Sequence, residues 1–188
     1  MFQDPGDFPF LTSLEQRWTG IRDECLALPG DSFEPWVQRE MYGHGWSVYG
    51  FHAFGTPIPP ALARCPLTAA ALTLVPGLTT AGFSRLAPGA HITPHVGWVT
   101  TVYRAHLGLV IPRSCGLRVG DSRRQWVAGK ALVFDDTTEH EAWNTSDEDR
   151  MVLLFDFLRP GQGAERRDEP PWQVRERLAR LAKEAGPT

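Results

Sequence analysis

The chain has 188 residues, 42% hydrophobic and 22% charged, with 19 basic against 22 acidic side chains and a formal charge of −3. That length suits one compact domain, and the charge balance excludes a basic field able to hold nucleic acid without sequence preference. Seven Trp and ten Phe argue against disorder, and 18 Gly with 16 Pro favour a turn-rich, strand-rich chain over a helical bundle.

The N-terminal MFQDPGDFPF has neither a basic segment nor a continuous apolar run, so no secretory signal is read there. No stretch approaches the ~20 apolar residues needed to cross a bilayer. A cytoplasmic protein with no membrane partner is expected. Cys25, Cys65 and Cys115 are widely spaced; they make neither a disulfide framework nor a zinc ribbon and read as small buried or surface thiols.

In chain order, the first predicted element is a helix over 12–28. Thr12 or Ser13 caps it, with Glu15 or Gln16 in capping-box position. Leu14, Trp18, Ile21, Cys25 and Leu28 give it one apolar face. Residues 46–54 read as a strand, followed by a Pro-rich connector with at most a short helix near 67–75. From Thr80 the texture changes to short strands, at 82–86, 103–111, 116–119, 131–134 and 151–157. Pro88-Gly89, Pro112, Gly120-Asp121 and Gly129-Lys130 punctuate them. This pattern predicts a mainly β fold, an antiparallel sandwich or barrel, of which a jelly roll is the favoured version. A polar linker over 161–170 and an amphipathic helix over 171–185 close the chain. The expected organisation is a single domain: an N-terminal helix and strand extension over 1–79, a jelly-roll core over 80–160, and a linker and helix over 161–188.

Of six histidines, His44 and His52 have no supporting context, and His91 shares no assured face with His95. His95 sits in Thr93-Pro94-His95-Val96-Gly97, where a proline fixes the backbone and a glycine leaves space. His140 follows the polar turn Asp135-Asp136-Thr137-Thr138-Glu139 at the head of a strand. Their wide separation suits a metal site built across a β-barrel mouth and not a local zinc finger. A non-haem iron oxygenase normally adds one carboxylate to two histidines. That carboxylate usually lies two residues after the first His, and here the position is Gly97. On spacing alone this counts against iron, and a water would have to fill the place. Asp135 and Asp136 either orient a ligand His or cap a strand end. Trp98, Trp126 and Trp143 either line the pocket or fill the core, and core is the commoner use.

A longer pattern runs from Ser84 through Pro94-His95-Val96-Gly97, then Arg104-Ala105-His106 and Cys115-Gly116-Leu117-Arg118. It continues through Trp126 to Asp136, Glu139-His140-Glu141-Ala142-Trp143-Asn144, and Arg150. In order and spacing it resembles the aspartyl/asparaginyl β-hydroxylase family over about residues 80–160. The resemblance implies a double-stranded β-helix (jelly-roll, cupin-like) core flanked by N- and C-terminal helices. It also implies an Fe(II)- and 2-oxoglutarate-dependent dioxygenase that consumes O2 and releases succinate and CO2. The family coordinates iron with two histidines and no protein carboxylate, so Gly97 becomes a point of agreement. The implied iron ligands are His95 and His140. Ser84 and Arg150 match the positions that hold the distal carboxylate of 2-oxoglutarate, and His106 the one near its metal-side end. Arg104 is placed to hold a second carboxylate, of substrate or cosubstrate, or is a plain strand residue.

Two departures bear on substrate. Val102 stands where animal members that hydroxylate aspartyl residues carry an additional Arg, and Leu158-Arg159-Pro160 replaces a usual Trp-His-Pro. With one cation fewer, the expected substrate is an amino acid, an aminoacyl residue in a short peptide, or a related small molecule. Members acting on lipid acyl chains offer another precedent, but no membrane segment or basic amphipathic helix is seen here. Three rivals remain open: a halogenase with chloride in the place vacated at Gly97, a non-catalytic cupin-like binding module, and a zinc isomerase or hydrolase, which would want a third protein ligand.

Overall fold

Side chains alternate between the two faces of a strand, and the long strands here bury both. The structure is a computed structural model describing residues 1–162 and Glu176. Apart from Glu176, the helix expected over 171–185 lies outside the described residues, as does most of the linker before it.

The elements in chain order are β1 (Phe2–Gln3), α1 (Phe10–Glu15), α2 (Trp18–Ala27), β2 (Glu34–Pro35), β3 (Trp46–Ala53) and β4 (Thr56–Pro57). Then come α3 (Pro59–Arg64), α4 (Pro66–Leu72), β5 (Leu78–Leu86), β6 (His91–His95), β7 (Val102–Val110) and β8 (Cys115–Val119). The last are β9 (Ser122–Arg124), β10 (Ala131–Phe134), β11 (His140–Asn144) and β12 (Arg150–Leu158). A large antiparallel sheet runs β1-β10-β7-β12-β5-β3-β2, with β4 also paired to β3, and a small one runs β6-β11-β8-β9. The mainly β jelly-roll expectation is borne out.

Alternation separates two cores. On the outer face of the large sheet, Phe51, Phe83, Leu107, Leu153, Phe155 and Phe157 pack with Leu11, Leu14, Ile21, Cys25 and Leu72 of the helices. Between the sheets, Trp46, Leu86, Phe134 and Val152 meet Ile92, Leu117, Val119 and Ala142. The inward positions of β12 are therefore Arg150, Val152, Leu154 and Asp156; those of β7 include Arg104 and His106. Register sets Val152 opposite Ser84, Leu154 opposite His106 and Asp156 opposite Arg104, which brings these polar residues to one interior face.

The single helix expected over 12–28 is two. It starts earlier, at Phe10, with no side-chain cap, and breaks at Gln16–Arg17. The Glu15 carboxylate accepts from the Ala131 backbone N–H at 3.0 Å and from Lys130 Nζ at 2.8 Å, so a contact distant in sequence replaces the local capping box. The connector holds two short helices because Pro59 and Pro66 sit at helix starts, where a missing N–H costs nothing. Glu24 of α2 accepts from the backbone N–H groups of Leu67 and Thr68, both at 2.7 Å, and pins α2 to α4. All three cysteines are free and buried.

Candidate metal centre and anion pocket

β6 is a strand beyond those expected, and Pro94, which removes a ladder donor, is tolerated because β6 is an edge strand. Its last residue, His95, pairs with the first residue of β11, His140, where the register then shifts between His140 and Ala142. Their ring centroids are 4.1 Å apart. His95 Nδ1 lies 2.7 Å from the Thr93 carbonyl and His140 Nδ1 lies 2.8 Å from the Thr138 carbonyl. A carbonyl only accepts, so each ring donates through Nδ1–H, which leaves Nε2 as the nitrogen for a metal to take. Burial, reinforced by His140, pushes the pKa of His95 down to about 4, so the ring is neutral near pH 7. Two imidazoles oriented through Nδ1 in this way suit a divalent transition metal.

Asp136 stands beside them. Its Oδ1 is 3.2 Å from His140 Nε2 and 2.6 Å from Arg104 Nη1, yet it makes no well-aligned hydrogen bond and is buried. Burial pushes this carboxyl upward, but Arg104 and then His140 outweigh it and hold the group well below the usual carboxylate range. A Cβ on Gly97 would lie 1.7 Å from Asp136 Oδ2, while the Gly97 N–H donates to the Asp136 carbonyl at 2.8 Å. Glycine at 97 is thus required by close approach. The carboxylate missing from position 97 has a counterpart across space, on the turn before His140. Among the described residues no cluster of three or more His, Cys, Asp or Glu encloses a metal position; the donors on offer are the two imidazoles, with an unsatisfied carboxylate oxygen alongside. That set fits a metal with open coordination positions.

The interior face of the large sheet supplies an anion pocket. Arg150 is 1% exposed, its guanidinium 4.7 Å above the Trp126 ring, with Nη1 3.4 Å from the Ser84 carbonyl. Its Nε has no partner, and among the described residues no carboxylate pairs with it. Burial pushes its pKa down to about 10. Ser84 Oγ accepts from Trp46 Nε1 at 3.1 Å. His106 is buried too, with Nε2 unpartnered; burial, then Arg150 and Arg104, hold its pKa well below the usual value.

Arg104, expected to meet a bound molecule's carboxylate, meets two of the protein's own. Its Nε and Nη2 donate to Asp156 at 2.7 and 2.9 Å, and Nη1 faces Asp136. Asp156 is the residue that sequence reasoning passed over; Trp126, weighed there as pocket or core, lies against Arg150. Asp156 had a legible signal: an acid in an apolar strand, on the same alternating face as Arg150. His91 points away to Glu141, at 2.8 Å. Past His95, Val96 and Trp98 are 58% and 39% exposed. Phe54 stacks on Trp98 with ring centroids 6.2 Å apart, held by a left-handed backbone at φ 51°.

The family profile described as Aspartyl/Asparaginyl beta-hydroxylase matches residues 15–160. The chain belongs to this family. Among aspartyl/asparaginyl β-hydroxylase relatives, the ornithine lipid ester-linked acyl 2-hydroxylase of Rhizobium tropici is 43% identical over 84% of the chain and 60% of that protein. The human aspartyl/asparaginyl beta-hydroxylase is 32% identical over 84% of the chain and 22% of its own length. The chain therefore spans less than two thirds of either relative. In fold it is similar to a Pseudomonas putida prolyl-4-hydroxylase (TM-score 0.53, 18% identity, covering 78% of this chain and 88% of that one). It is equally similar to a 2OG-Fe(II) oxygenase family oxidoreductase from Burkholderia pseudomallei (TM-score 0.53, 14% identity, 78% and 80% covered).

Proposed function

We propose that the protein is an Fe(II)- and 2-oxoglutarate-dependent hydroxylase, with His95 and His140 as iron ligands and Arg150, Ser84 and His106 as the cosubstrate pocket. The observation that carries this reading is Arg150. A guanidinium buried without a carboxylate is costly to keep, and an anionic ligand relieves that cost through paired, charge-assisted hydrogen bonds. Bound between the imidazoles, ferrous iron would supply the O2-dependent oxidation of 2-oxoglutarate to succinate and CO2 that drives hydroxylation. The chain's own residues position and exclude. The backbone carbonyls of Thr93 and Thr138 aim the two Nε2 atoms, Arg104 fixes Asp136 beside His140, and the inter-sheet core keeps bulk water from the interior.

The relatives' names narrow the target. An acyl 2-hydroxylase and an aspartyl/asparaginyl β-hydroxylase both place oxygen on a carbon bonded to a carbonyl carbon. We therefore infer a substrate offering a methylene next to a carboxyl-derived carbonyl, on an amino acid, an aminoacyl residue of a short peptide or a small molecule. A second reading, an acyl chain, is favoured by the apolar rim of Val96, Trp98 and Phe54 and by the commitment of Arg104 to internal acids. Halogenation finds no support: the Asp136 carboxylate stands in the space beside Gly97 that chloride would need.

The test is to incubate iron-loaded protein with 2-oxoglutarate in air, without added substrate. Slow, O2-dependent succinate formation is expected. A protein that neither binds 2-oxoglutarate nor forms succinate would return the fold to the class of binding modules.

A further inference from the structure

We propose that Trp126 is a positioning residue whose indole N–H commits His106 to donating through Nε2 into the pocket of Arg150, and so bars His106 from serving as a third metal ligand. The ligand it prepares for is a carboxylate or 2-oxo acid end of a diacid. This deepens the cosubstrate reading above and rests on it.

The argument begins with what an indole can do. Trp Nε1–H is a donor only, and it lies 3.2 Å from His106 Nδ1. That nitrogen must accept, so the ring's proton resides on Nε2. Nε2 is buried and has no partner, which makes it a donor awaiting an acceptor, and leaving such a group unmet is costly. The ring cannot easily turn to escape. The indole lies beside it with ring centroids 5.9 Å apart and planes 28° from parallel, and Phe134 meets it edge-on at 5.2 Å. The other side of the same arrangement is Arg150, whose guanidinium rides 4.7 Å from the Trp126 ring. One side chain thereby orients both donors of the pocket.

The contrast with the other two histidines is chemical. His95 and His140 donate through Nδ1 to carbonyls, with His140 Nε2 beside Asp136 Oδ1 at 3.2 Å; His106 accepts at Nδ1 and presents Nε2–H. Three imidazoles gathered in one interior are sorted by their partners into two metal ligands and one anion donor.

The experiment uses the full chain loaded with Zn(II), which is diamagnetic and inert to O2. Two-bond 1H–15N spectra report the tautomer of each histidine ring. His106 is expected as Nε2–H in the wild type. Trp126→Phe keeps a ring beneath Arg150 and removes the N–H. It should convert His106 wholly or partly to Nδ1–H and weaken 2-oxoglutarate binding by about tenfold in calorimetry. Trp143→Phe, outside the pocket, should change neither. Wild-type His106 found as Nδ1–H overturns the proposal whether or not the variant folds. So does a Trp126→Phe protein with wild-type tautomer and wild-type affinity. Wild-type protein that shows Nε2–H but does not bind 2-oxoglutarate supports the donor assignment and contradicts the cosubstrate reading instead.

Discussion

On the helix-covered face of the large sheet, β12 contributes Leu153, Phe155 and Phe157 to a core of aromatic and aliphatic side chains. On the face toward the small sheet, the same strand contributes Arg150 and Asp156, both buried. The two faces differ by one residue of register and by everything chemical. The outer face gains from burying apolar area, whereas the inner face bears the cost of desolvating charge, and only a ligand can recover what Arg150 loses. Stability and function are thus segregated by strand alternation, within a single sheet.

Substitutions that exchange the roles of the two faces would break this comparison. The largest expected effect is on the outer face. Phe155→Ala should destabilise the fold by about 3–5 kcal/mol in denaturant titration while leaving metal and 2-oxoglutarate affinity in the folded fraction unchanged. Next comes Arg150→Met on the inner face, with the opposite signature. It should weaken 2-oxoglutarate binding by roughly 2–4 kcal/mol yet stabilise the ligand-free protein by about 1 kcal/mol or more, raising Tm by several degrees. A lowered Tm with unchanged affinity would make Arg150 an ordinary structural residue. Gly97→Ala is expected to be smaller in stability but specific: its Cβ would meet Asp136 Oδ2 at 1.7 Å, so the carboxylate must leave His140, and metal affinity should fall by about 10–100-fold, as when an outer partner is lost. The smallest effect is kinetic. Burial pushes the Cys25 thiol up to about 12 and Cys65 to about 11, so at pH 8 both stay protonated. Neither should react with a disulfide reagent until the outer core opens, and both should react promptly in denaturant.

Strand alternation also explains what was legible in the sequence. The longer strands of the large sheet were readable because their apolar residues and turn signals are local; 131–134 coincides with β10, and 151–157 lies one residue inside β12 at each end. His95 and His140 stood out through Pro94 and a polar turn, again local features. What escaped was set by distant partners. The helix over 12–28 breaks where Glu15 reaches Ala131, and β6 is a strand because β11 lies beside it. Arg104 was read as holding a bound molecule's carboxylate or as a plain strand residue, because its partners, Asp156 and Asp136, arrive from other strands and turns. The Gly97–Asp136 relation is invisible to spacing, since the space a side chain at 97 would fill is taken by a residue from another turn.

Anaerobic titration of 2-oxoglutarate into Fe(II)-loaded protein tests the account most directly, comparing wild type with His140→Ala and with metal-free protein. One site per chain is expected in the wild type, strongly weakened when iron is absent or when His140 is replaced. Binding of equal strength in all three would contradict it.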